Sequence, residues 1–277
     1  MGAALSEERF LELEGATLRV RCAGDGPAVV LVHGWALDLD MWRAQMESLS
    51  RHHRVVAFDR RGFGRSSGVP GIEDDVADLE HLLQRLNIDR AALVGMSQGA
   101  RVALRWALKH PERTSCLVLD GTPAEALAPL SGGEEIPIDD YRERLRRDGI
   151  EAFLQAWLHH PFMQLRTSEL EAHRLLREIA ARYPARDLQM NERPQLQLLG
   201  MQDLRRLQVP TLVLSGEFDS PQRRSVARHL AQTLPDARLQ VLKGAGHLAA
   251  LDDPAAYSRA LLDFFARQPA MSAGTAV

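Results

Sequence analysis

Short, unbroken apolar runs that end in glycine or aspartate constrain this chain more than any other feature. "PAVVLVHG", "RVVAFD", "AALVG", "SCLVLDG" and "TLVLSGE" recur along it, and "RLQVLKG" closes the series. Such runs are expected of strands buried on both faces. Helical patterns lie between them. Ile72, Val76, Leu79, Leu82, Leu83 and Leu86 share one face, as do Tyr257, Ala260, Leu261, Phe264 and Phe265. Asp253 followed by Pro254 marks the start of the latter helix. Short strands alternating with helices predict a mostly parallel sheet with helices on both faces.

The rhythm has two departures. "FLELEGATLRVRCAG" alternates about Gly15 and predicts an antiparallel hairpin. Between Pro123 and Gln208 no buried strand is expected. Two helical stripes stand there instead: Ile150, Phe153, Leu154, Trp157 and Leu158, then Ala172, Leu175, Leu176, Ile179, Ala180 and Tyr183. "APLSGGEEIPIDD" before them has loop composition. We therefore divide the chain into a core of 1–122 and 209–277 and a helical cap insertion of 123–208, with a flexible tail over 268–277. At 277 residues, one large domain of this kind is within range.

Charge and cysteine usage narrow the partners. Thirty-four basic side chains against 37 acidic ones give a net charge of −3, which offers no electrostatic basis for nucleic-acid binding. Cys22 and Cys116 sit in strand-like runs without metal spacing, so reduced thiols in the cytoplasm are expected and no metal site. No apolar run reaches the roughly 18 residues that span a bilayer, and no membrane partner is expected. Monomer and homodimer are both open.

One serine carries the chemistry. In "LVGMSQGARVAL", Ser97 lies between Gly95 and Gly99, after a strand and before a helix. That context is a nucleophile elbow, in which the hydroxyl projects at a helix N-terminus. A serine needs a base. His247, in the glycine-rich "LKGAGHLAALDDP", follows the last strand, where parallel sheets place ligands. His33 follows a buried strand and reads as a hydrogen-bonded structural histidine. The base in turn needs a carboxylate. Asp219, Glu217 and Asp120 all stand at strand ends; Asp219 gives the order serine, acid, histidine, and Asp120 is the alternative acid. Backbone N–H groups of Gln98 and Trp35, the latter in "HGWALD", are the expected oxyanion donors. Trp35, Thr122, Trp157, Phe162, Met163, Met190 and Leu196 are candidates for the pocket wall.

"LVHGWALDLDMW", "VVAFDRRGFGRSS", "LVGMSQGARVAL", "HPERTSCLVLDGTP", "SGEFD" and "GAGHLAALDDP" together resemble the α/β-hydrolase superfamily, in order and spacing. The resemblance spans nearly everything outside Pro123–Gln208. It implies an α/β-hydrolase fold with a mostly parallel, eight-stranded sheet flanked by helices and an inserted helical cap. It also implies Ser97 as nucleophile, Asp219 as acid and His247 as base, Trp35 and Gln98 as oxyanion donors, and no cofactor. A serine at the elbow departs from the dehalogenase and epoxide-hydrolase branches, which carry aspartate there. Met96 stands where many relatives have histidine.

The implied reaction is hydrolysis of a small-molecule carbonyl substrate, an ester or lactone first. A C–C bond hydrolase of diketone-like compounds and a cofactor-free perhydrolase share the machinery. A ligand-sensing protein with a slow triad is the reading of another class. Arg142, Arg166 and Arg193 are candidates for holding a substrate carboxylate.

Overall fold

A computed structural model of the chain describes residues 7–123, 136–190, 196 and 199–271. It opens with the hairpin: β1 (Glu7–Leu13) and β2 (Ala16–Ala23) pair antiparallel around Gly15, whose φ of 72° suits a residue without Cβ. Then come β3 (Ala28–Val32), α1 (Arg43–Leu49), β4 (Arg54–Phe58), α2 (Ile72–Arg85), β5 (Ala91–Met96), α3 (Gln98–Lys109) and β6 (Thr114–Asp120). The inserted segment carries α4 (Ile138–Leu158) and α5 (Leu170–Ala181). The chain closes with α6 (Met201–Arg206), β7 (Thr211–Gly216), α7 (Pro221–Thr233), β8 (Ala237–Leu242), α8 (Ala249–Asp252) and α9 (Pro254–Phe265).

The eight strands form one sheet in the order β1-β2-β4-β3-β5-β6-β7-β8. β2 joins β4 antiparallel, and every later pairing is parallel. The continuous apolar runs serve two cores at once. Along β3, Val29 and Leu31 face one core while Val30 and Val32 face the other. The first core is shared with α1, α9 and the inserted segment; the second with α2, α3 and α7. On α2, Val76, Leu79, Leu82 and Leu83 are buried, as is Leu86 just after it, each contributing roughly 1.5–3 kcal/mol by area. Asp253 caps α9 by accepting the Ala256 N–H at 2.8 Å, with Pro254 in the first turn, as the sequence predicts.

Three details differ from the periodicity. α4 is broken at Gly149, which has φ 84° and ψ 178°. The restart leaves Ile150 exposed, while Phe153 and Trp157 of the same stripe are buried. α6 packs on α3 and α7, and Leu204, Leu207 and Val209 join the second core. The end of the inserted stretch therefore lies with the sheet-flanking helices. Met271 is buried in the first core, and residues 272–277 of the expected tail lie outside the described residues. No described helix is long and apolar enough to cross a membrane.

Candidate active site

Ser97 stands between β5 and α3 with φ 52° and ψ −117°. A non-glycine residue in that region costs on the order of 1–3 kcal/mol, so the surroundings must hold it. Its N–H donates to the Asp120 carbonyl at 2.7 Å, and its own carbonyl accepts the Ala100 N–H at 2.9 Å. The flanking glycines are there for close approach. A Cβ on Gly95 would lie 2.4 Å from the Gly99 carbonyl oxygen, and one on Gly99 would lie 2.2 Å from that of Val32. Strand and helix can meet this closely only because both side chains are absent.

His247 reaches the same place from the loop between β8 and α8. Its Nδ1 lies 3.0 Å from both carboxylate oxygens of Asp219, and both side chains are buried. Asp219 Oδ1 also accepts the Ser220 N–H at 2.7 Å, which fixes the carboxylate. Donation from Nδ1 leaves Nε2 as an acceptor. The Phe162 ring stacks on the imidazole at 4.1 Å between centroids. Ser97 and His247 line one cavity without a hydrogen bond between them; such contacts commonly tighten only when substrate binds.

The three strand-end carboxylates are separated by geometry. Glu217 is exposed and accepts the Gly244 N–H at 2.9 Å. Asp120 is buried beside Asp219 and Tyr257 rather than on the imidazole. Burial first, and the Asp219 charge second, push the Asp120 carboxyl well above the usual range. Asp219 alone of the three touches His247.

Trp35, in the loop after β3, lines the cavity with Ser97, and Gln98 follows Ser97 as the first residue of α3. Neither the Trp35 nor the Gln98 N–H donates to another group among the described residues. Gln98 is anchored through its side chain, whose Oε1 accepts from Arg60 at 2.8 Å; Arg60 is itself paired to buried Asp75 at 2.7 Å. His33 fills a structural position. Its Nδ1 is 2.8 Å from the Gly34 carbonyl and its Nε2 accepts the Arg60 N–H at 2.8 Å, while burial lowers its pKa well below the ordinary value. The Trp35 indole N–H donates to Asp187 Oδ2 at 2.6 Å.

The cavity is narrow: about 10 Å³ is open to the centre of a water-sized sphere, room for roughly one water. Of the predicted wall residues, Trp35, Trp157, Phe162 and Met163 line it. Thr122 is buried but off the wall, and Met190 and Leu196 are partly exposed away from it. After α5 the chain turns at Arg186–Leu188 and buries Leu188 in the first core. Met96, before the serine, lines the cavity as well, and Leu37, Ile136 and Leu248 join it unforeseen. Met96 and Leu248 adjoin Ser97 and His247 in sequence, which was a usable signal; Ile136 carried none.

A family model described as "alpha/beta hydrolase fold" matches residues 27–254. The chain belongs to the α/β-hydrolase family. It is similar to the 2-hydroxy-6-oxo-2,4-heptadienoate hydrolase of Pseudomonas putida, 29% identical over 281 residues, covering 94% of this chain and 96% of that protein. A thermophilic esterase from Thermogutta terrifontis aligns over 95% of this chain and 99% of its own, with a TM-score of 0.76 and 29% identity. The enol-lactonase from Burkholderia xenovorans LB400 aligns over 94% and 100%, with a TM-score of 0.77 and 25% identity. This α/β-hydrolase is accordingly an enzyme, a hydrolase of that fold.

Proposed function

We propose that the protein is a serine hydrolase of small carboxylic esters or lactones, working through an acyl-enzyme on Ser97, His247 and Asp219. The observation that carries this reading is the buried Nδ1–carboxylate contact of His247 with Asp219, in a cavity that also presents strained Ser97. In the first half-reaction Ser97 Oγ bonds to the substrate carbonyl carbon as its proton passes to His247 Nε2. The oxyanion that forms is held by the N–H groups of Trp35 and Gln98. The bond to the leaving oxygen then breaks, and that oxygen takes the proton from Nε2. Water, deprotonated by His247, attacks the ester on Ser97, and the proton returns to Oγ as the acid departs. These steps require no cofactor or metal.

The wall of Trp35, Leu37, Met96, Ile136, Trp157 and Met163 favours an uncharged, apolar acyl group of modest size. The similarity to an esterase and an enol-lactonase supports the same choice. The Pseudomonas putida relative favours, as the second reading, a carbon–carbon bond hydrolase acting on a charged dienoate-like compound. That reading needs a cation at the cavity. Arg142 spends its guanidinium on the Leu188 carbonyl and Asp139, and Arg166 lies over the Phe218 ring at 4.4 Å. Arg193 lies outside the described residues. Free Cys22 and Cys116 support a reducing, cytoplasmic setting.

The test is reaction with a serine-directed fluorophosphonate, read by peptide mass on wild type and Ser97→Ala. Labelling of the Ser97 peptide, absent from the variant, is expected. Folded wild type that stays unlabelled overturns the acyl-enzyme reading. A panel of p-nitrophenyl esters, lactones and diketones then ranks the substrate classes.

A further inference from the structure

The short stretch of inserted segment from Phe162 to Thr167 touches the catalytic loops at three places. Phe162 stacks on the His247 ring. The Arg166 guanidinium lies over Phe218, the residue before Asp219. The third contact runs through Asp252, the last residue of α8. Its Oδ1 accepts the Arg166 N–H at 2.6 Å and the Thr167 N–H at 3.3 Å, and its Oδ2 accepts the Gly246 N–H at 2.7 Å. Gly246 immediately precedes His247. The fit around it is tight: a Cβ on Gly246 would meet Arg166 Cγ at 3.2 Å, and one on Gly216 would lie 2.0 Å from the Gly246 carbonyl oxygen.

The geometry points to Asp252 as a positioning residue for His247, a single carboxylate that makes the seating of the inserted segment set the backbone of the base. This rests on His247 being the base. The chemistry requires a carboxylate. Backbone N–H donors approach from opposite sides, one set from the inserted segment and one from the His247 loop, and only an ionised acid accepts on both oxygens. Asparagine would turn an N–H₂ toward one of the two sets. An imidazole displaced by even 1 Å from its proton-transfer geometry costs orders of magnitude in rate, so the loop matters more to turnover than to folding. Asp253, the next residue, has a separate task in capping α9.

The experiment is a double-mutant cycle on the full chain: wild type, Asp252→Asn, His247→Ala and the double variant. Fluorophosphonate labelling rate and kcat and KM for one p-nitrophenyl ester are read, with thermal unfolding to confirm folding. Asp252→Asn is expected to slow labelling and lower kcat by tenfold or more, with KM changed less than twofold. In the His247→Ala background the same change should alter the residual labelling less than twofold, because an effect exerted through the imidazole disappears with it. Equal loss in both backgrounds assigns Asp252 a purely structural role and overturns the proposal while leaving the base reading intact. Undiminished labelling in His247→Ala overturns the base reading itself. If Asp252→Asn does not fold, Asp252→Glu, which keeps the charge and moves the acceptors by one methylene, is taken through the same cycle and judged by the same outcomes.

Discussion

Trp35 Nε1 donates to Asp187 Oδ2 at 2.6 Å across 152 residues of sequence, and the Tyr183 hydroxyl donates to the other carboxylate oxygen at 2.5 Å. The residue proposed to supply an oxyanion donor is thereby tied to the inserted segment. Asp187→Ala would remove the acceptor of the Trp35 indole N–H and one partner of the Tyr183 hydroxyl. Loss of about 1–3 kcal/mol of stability is expected, together with a lower kcat. Urea denaturation and ester kinetics check both. An unchanged denaturation midpoint would show that the pair is idle.

The acid assignment separates two buried aspartates. Asp219→Asn should lower kcat by roughly 10³–10⁴, since an amide cannot hold the required imidazole tautomer or stabilise the imidazolium. Asp120→Asn should cost less than about tenfold, because the carboxylate on the imidazole is that of Asp219 and Asp120 makes no contact with it. Single-turnover rates at neutral pH decide it; the reverse order would make Asp120 the acid.

Gly121 lies against the same pair. Its φ is 54°, and a Cβ there would sit 2.9 Å from His247 Cε1 and 3.0 Å from Nδ1. Gly121→Ala is expected to force the imidazole off Asp219 and cut kcat by about 10² or more. It should also destabilise the fold by roughly 1 kcal/mol through the left-handed backbone. A crystal structure of the variant with His247 unmoved and full activity would contradict this.

Two carboxyls away from the centre predict a pH dependence of stability. Burial pushes Asp75 up to about 6 despite its pairing with Arg60, and burial together with the Asp38 charge pushes Asp59 up to about 6. Both lie above the unfolded value of about 3.9. Between about pH 4 and 6 these two carboxyls bind more protons in the folded chain than in the unfolded one, so their contribution is complete below about pH 4 and is lost as pH rises through about 6. Asp59→Asn also loses one of the acceptors for the Leu39 and Arg65 N–H groups, so its absolute stability is no guide. The change in unfolding free energy between about pH 4.5 and pH 7 is the readout, and the variant should lose less than wild type over that interval. Equal losses would remove Asp59 from the account.

The cavity wall sets acyl length. Met163→Ala should raise the kcat/KM ratio of longer to shorter p-nitrophenyl esters by about tenfold, the scale of one or two methylenes in an apolar pocket. An unchanged chain-length profile would place Met163 outside the acyl site.

The strands and the elbow were legible because their signals are local. An apolar run such as "AVVLV" is buried on both faces wherever its sheet lies, and glycines at 95 and 99 are demanded by contacts close in sequence or adjacent in the sheet. The inserted segment was legible only as helices. Its stripes showed which residues leave water, not what they pack against, so Phe153 and Trp157 were anticipated as buried but Met190 and Leu196 were assigned to a wall they do not form.

By itself, the sequence determined the alternation of strands and helices, the hairpin about Gly15 and the strand–serine–helix turn at Ser97. Each follows from spacing within a few residues, where backbone geometry and burial act directly. Tertiary structure decided which strand-end carboxylate meets His247, which side chains enclose the cavity, and that Asp187 and Asp252 bind the inserted segment to the loops of Trp35 and His247. These pairings join residues far apart in the chain, and a hydrogen bond of about 3 Å exists only once the whole sheet and its insertion have fixed both partners.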